Sequence, residues 1–105
     1  MGGDDPVAAA VVLFAVRDGC IRDLDVDCLD DVDQAGSAAL DADRELVGAI
    51  MDGGAAGPLP STEGASLAQR LGDSALVALR PDSEPASVLL VKGEAGWRIR
   101  DYLTE

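Results

Sequence analysis

The chain has 105 residues, enough for one domain and too few for two, and nearly half of them are apolar, so a core can form. Its net charge is −12 and it has no histidine. So acidic a chain repels phosphate backbones and anionic membrane surfaces, which argues against nucleic-acid binding, and the lack of histidine removes the commonest general base, the usual zinc ligands and the Ser-His-Asp triad. The charge is lopsided: residues 1–52 hold thirteen acids against three arginines, and residues 53–105 seven acids against five bases.

Residues 1–5 read as a leader outside the fold. Asp5-Pro6 predicts a helix start, because Asp5 can cap free N–H groups and Pro6 suits the first helical position. The run Val7 to Val16 is apolar throughout; ten residues cannot span a bilayer, and the acidic Asp4-Asp5 before it is unlike a signal peptide. Val7, Ala10, Val11, Phe14 and Ala15 form the expected buried stripe, broadened by Val12, Leu13 and Val16, with a polar side from Arg17 onward.

Cys20 and Cys28 follow in the most acidic stretch. On one continuous helix they would lie about 12 Å apart along the axis, whereas a disulfide needs Cα atoms within roughly 7 Å. Either the helix breaks between them and a bridge can form, or they are two buried thiols. Gly19 and the triplet Asp23, Asp25, Asp27 weaken the helix, so the expectation is a helix to about Arg22, a turn near Leu24-Asp25 and a short second helix to about Val32. Asp23, Asp25 and Asp27 also recapitulate the start of a calcium loop, but Cys28 stands where that loop needs Gly and Gln34 where it needs Glu. After Gln34-Ala35-Gly36, Ser37 is the expected cap of a third helix reaching about Asp52, with Leu40, Leu46, Val47, Ile50 and Met51 on its apolar face and an Asp41–Arg44 pair on its surface. Gly53-Gly54 stops it.

Residues 53–64 are a linker rich in Gly and Pro. The period then changes to two. Leu67, Gln69 and Leu71 alternate with Ala68 and Arg70; further strands are expected at Ala75 to Arg80, Ser87 to Lys92 and Trp97 to Leu103, with Gly72-Asp73-Ser74, residues 81–85 and Gly93-Glu94-Ala95-Gly96 as turns. By alternation Trp97, Ile99 and Asp101 share one face of the last strand, and Arg98, Arg100 and Tyr102 the other. Helices first and strands last imply one α+β domain over residues 6–105: three N-terminal helices in 6–52 packed on a four-stranded antiparallel meander in 65–104.

The order of helices, linker and meander is similar to the nuclear-transport-factor-2-like superfamily, also called cystatin-like. The segment Gly93-Glu94-Ala95-Gly96-Trp97-Arg98-Ile99-Arg100-Asp101 resembles the hairpin that closes that fold. The resemblance implies a cone whose concave side is covered by Trp97 and Ile99, with Phe14 of the first helix in the same pocket or core. Some members are isomerases, dehydratases or cyclases. Others are non-catalytic modules, including extracytoplasmic domains of membrane proteins, and a cysteine pair suits the last group. The resemblance also implies a second copy pairing through the sheet.

Two functions follow as expectations. The first is a non-enzymatic binding or scaffolding module, extracytoplasmic and joined to the membrane only through a segment outside this sequence, with a protein or a small apolar ligand as partner and with no cofactor or metal. The second is a cytoplasmic isomerase- or dehydratase-like enzyme in which Asp101, on an apolar face, has a raised pKa and acts as base.

Overall fold

The computed structural model describes residues 5–54, 62–79, 85–94 and 96–103. The expected leader lies outside the described residues except for Asp5, as do residues 55–61 of the linker, residues 81–84 of one turn and Ala95 of another.

Helix α1 is Pro6–Arg22. The Asp5 carboxylate accepts hydrogen bonds from the Val7 and Ala8 amides at 3.0 and 3.2 Å, and Pro6 opens the first turn. At its other end the Leu24 amide donates to the Ile21 carbonyl and the Asp25 amide to the Cys20 carbonyl. This is a Schellman motif, and it requires a left-handed residue at the position Leu24 occupies, with φ 54°. The reversed chain is capped again by Asp25, whose carboxylate accepts from the Asp27 and Cys28 amides. A single 3-10 turn, Cys28–Asp31, follows. Cys20 and Cys28 are joined by a disulfide across this corner, with Cα atoms 5.6 Å apart.

The expected middle helix is therefore a correction: among the described residues two α-helices are present, not three. Asp-rich residues 23–31 favour caps and turns over helix interior, and only one turn forms. The stripe on α1 also differs. Ala9, Ala10, Leu13, Phe14, Arg17, Cys20 and Ile21 point inward, while Val11 and Ala15 are exposed. A run that is apolar on every side carries no periodic signal about which side is buried.

Helix α2, Ala38–Met51, is capped by the Ser37 hydroxyl, which accepts from the Leu40 amide. Its end repeats the Schellman pattern with Gly53 at φ 101° in the left-handed position. Ala39, Leu40, Asp43 and Val47 are buried and Leu46 and Ile50 half-buried, but Met51 is 64 % exposed. Arg44 reaches Asp30 of the 3-10 turn at 3.3 Å in place of the expected Asp41.

The strands β1 (Ser66–Leu71), β2 (Ser74–Ala78), β3 (Ser87–Gly93) and β4 (Gly96–Leu103) form one antiparallel meander in the order β1-β2-β3-β4. Both outer strands carry a bulge, at Ala68 in β1 and at Arg100 in β4, where an extra residue opposes the neighbouring strand. Residues 32–34 run parallel beside β4: the Ile99 amide donates to the Val32 carbonyl and the Gln34 amide to the Ile99 carbonyl, both at 2.8 Å. Both helices pack on one face of the sheet. Between the layers lie Leu13, Leu29, Val32, Val47, Val77, Val88, Leu90 and Ile99, with Trp97, at 0 % exposure, the largest fully buried side chain. Phe14 is buried in the same layer, 6.3 Å centroid to centroid from Tyr102.

Candidate functional site

The densest polar chemistry among the described residues is inside the domain. Arg17 of α1, Asp43 of α2 and Tyr102 of β4 converge between the layers. Arg17 donates from Nε and Nη2 to Asp43 Oδ1 at 3.1 and 2.9 Å, and the Tyr102 hydroxyl donates to Asp43 Oδ2 at 2.6 Å. The guanidinium carbon lies 5.1 Å from the Tyr102 ring centroid and 5.9 Å from that of Phe14, within cation–π range. Burial works against the Arg17 charge, but the Asp43 hydrogen bond, the Tyr102 side chain and the Asp43 charge outweigh it and hold its pKa above the ordinary value. Burial pushes the Tyr102 hydroxyl up as well; Asp43 and Asp33 add to this and Arg17 opposes it.

Asp33 completes the cluster. It is 1 % exposed, and neither carboxyl oxygen has a hydrogen-bond partner. Burial, and then the neighbouring Asp43 carboxylate, push its pKa up to about 9, with Arg17 opposing and Asp30 adding a smaller push. The site thus holds two carboxyls in unlike surroundings: Asp43, paired with a cation and a hydroxyl, and Asp33, which burial favours as the uncharged acid. Chemically it can store a proton and anchor three elements to one another.

Sequence reasoning missed Arg17, Asp33 and Asp43 as a group. Each reads as a surface charge, and nothing local in the sequence pairs residues 26 and 59 positions apart. One signal was present: Arg17 and Asp43 each fall in register with the buried positions of their own helices.

Asp101 is placed differently from the alternation argument, which is a second correction. The Arg100 bulge sets Asp101 opposite Leu89 and Tyr102 opposite Val88, while Ile99 remains opposite Leu90. Val88 and Leu90 are buried and Leu89 is not, so Tyr102 faces inward with Trp97 and Ile99, and Asp101 faces outward. The Asp101 carboxylate accepts from the Tyr102 amide at 2.9 Å.

The sheet face turned away from the helices has another character. Leu71 is 77 % exposed and Leu103 37 %. With Leu76, Leu89, Gln69 and Ser74 they line a shallow groove of about 250 Å³. On the inner face, beyond the cover of the helices, the Arg70 guanidinium and the Lys92 ammonium lie 5.5 and 6.0 Å from the Trp97 ring centroid.

Among the described residues no group of three Asp, Glu or Cys side chains is arranged to hold a metal ion, and no helix is long and apolar enough to cross a membrane. Comparison with known proteins finds no family model, no curated protein and no solved structure that matches this chain.

Proposed function

We propose that this domain is a non-enzymatic binding or scaffolding module of the nuclear-transport-factor-2-like type, the extracytoplasmic part of a larger membrane-associated protein. The observation that carries this reading is the contrast between the two sheet faces. Inside, the chemistry-bearing side chains Arg17, Asp43 and Tyr102 are bonded to one another. Outside, Leu71, Leu76, Leu89 and Leu103 gather around an open apolar groove. The groove takes an apolar patch of a partner protein or of a second copy.

Two further features support the reading. The helices-then-meander order with a Gly-Trp hairpin fits the cone-shaped fold of that superfamily. The Cys20–Cys28 bridge is compatible with an extracellular location, since disulfides persist in oxidising compartments.

The test uses the full-length protein made in its native cells. Alkylation before and after reduction is expected to find Cys20 and Cys28 oxidised; two free thiols would overturn the compartment. A photo-crosslinking residue at Leu89 is expected to capture one defined partner or a second copy, and to lose it when Leu76→Lys is added, while the same probe at Asp41 captures neither. Silence at Leu89 would overturn the binding surface.

A further inference from the structure

The segment that carries Asp33 is held in an unusual way. Val32–Gln34 is joined to the edge of β4 by two backbone hydrogen bonds of 2.8 Å, and Leu29 and Val32 are its apolar anchors, both fully buried. Next to Val32 the Asp33 carboxyl is buried and meets no donor.

No group that faces it from the packed elements makes a hydrogen bond to it. On α2, Asp43 is a carboxylate whose two oxygens already accept from Arg17 and Tyr102. On α1, Arg17 directs Nε and Nη2 to Asp43, and its Nη1, 3.9 Å from an Asp18 carboxylate oxygen, makes no hydrogen bond. On β4, the Tyr102 hydroxyl proton points at Asp43. On the 3-10 turn, Asp30 adds negative charge and is paired with the exposed Arg44. An ionised Asp33 would be a buried anion without a donor, beside a second anion. Proteins avoid that state by neutralising the group or by exposing it.

We propose that Asp33 is a proton-operated latch: as the neutral acid it seats Val32–Gln34 on the edge of β4, and its ionisation releases that segment to water. The seated form binds a proton that the released form gives up, so rising pH favours release. Between the ordinary aspartate pKa of the released segment, about 4, and the raised value of the seated one, the release equilibrium grows about tenfold per pH unit. Release uncovers the outer edge of β4, which the seated segment otherwise pairs.

Amide hydrogen exchange of the intact domain tests this directly, because the Gln34 and Ile99 amides make the two bonds that release breaks. After correction for intrinsic base catalysis, their protection is expected to fall about tenfold per pH unit from pH 5 to pH 8, while remaining below that of the β2–β3 ladder at each pH. Asp33→Asn, a neutral mimic of the seated acid, is expected to remove that slope. The latch is overturned by protection that does not change with pH, by an unchanged slope in Asp33→Asn, or by Gln34 and Ile99 exchanging only together with the β2–β3 ladder. Carboxyl-carbon NMR of the unmodified protein is an independent check: an Asp33 midpoint well above 7 supports the latch, and one near 4 sinks it.

Discussion

Leu24 and Gly53 occupy the same place at the ends of two helices, one with a side chain and one without. Both sit in the left-handed region, at φ 54° and 101°, where a Cβ crowds the following carbonyl and costs roughly 1–2 kcal/mol. Leu24 is 38 % exposed, so little packing offsets this strain. Leu24→Gly is therefore expected to raise stability by about 0.5–1 kcal/mol in urea unfolding; a loss of that size would mean the leucine makes a contact that matters. The buried pair behaves in the opposite sense. Arg17→Leu leaves Asp43 buried and uncompensated, and a cost of about 3–5 kcal/mol is expected. The double variant Arg17→Leu, Asp43→Leu should recover most of it, since a volume-matched apolar pair often replaces a buried ion pair without penalty. Additive losses in the double-mutant cycle would contradict that account.

At the level of elements, the bulge in β4 decides which side chain enters the core. If Arg100 paired in register and were not bulged out, strict alternation would carry Asp101 inward and Tyr102 outward, and Asp43 would lose its hydroxyl donor. Deleting Arg100 leaves Ile99, Asp101 and Tyr102 opposite Leu90, Leu89 and Val88, so Tyr102 is expected to stay on Asp43 and the melting temperature to change little by circular dichroism; loss of the fold would show that the bulge itself shapes the strand. This single residue also explains the main limit on reading the site from the sequence. Caps, turns and strands were legible because their signals are local: Asp5-Pro6, Ser37, Gly53 and the changes of period each act on their own neighbours. The bulge, the burial of Arg17 and the parallel seat of Val32–Gln34 were not. Each is settled by a contact between distant segments, and an arginine that pairs inward looks the same in sequence as one that points to water. The middle helix failed for a related reason: the stretch to Val32 is dominated by aspartates, which prefer caps to helix interiors.

For the whole molecule the relevant quantities are charge and protons. Asp33 has its folded pKa raised to about 9 from an ordinary value near 4. The sign follows from proton binding: the folded state holds this proton more tightly, so its contribution is full below about pH 4, declines as pH rises and is gone above about pH 9. Folding stability is expected to fall between pH 5 and pH 8 by up to about 1.4 kcal/mol per pH unit from this group, and Asp33→Asn should flatten the profile. A wild-type profile that rises over that interval would refute it. Separately, the N-terminal half of the chain concentrates most of the net charge of −12. Its helices and acidic corner repel themselves in dilute buffer, so moderate salt, by shortening the screening length to below about 10 Å, should raise the melting temperature.

The seat of residues 32–34 on β4 has one more consequence, for how the domain comes into being. Of the described elements β4 is the last to be synthesised, yet it supplies the Ile99 backbone that holds the early segment and the Tyr102 hydroxyl that completes the Asp43 site. Until those residues emerge, α1, α2 and the segment between them carry an arginine and two aspartates destined for burial but not yet enclosed. The nascent helical half must therefore wait, open and charged, and closure comes as one late event in which the final strand shuts the first half of the protein.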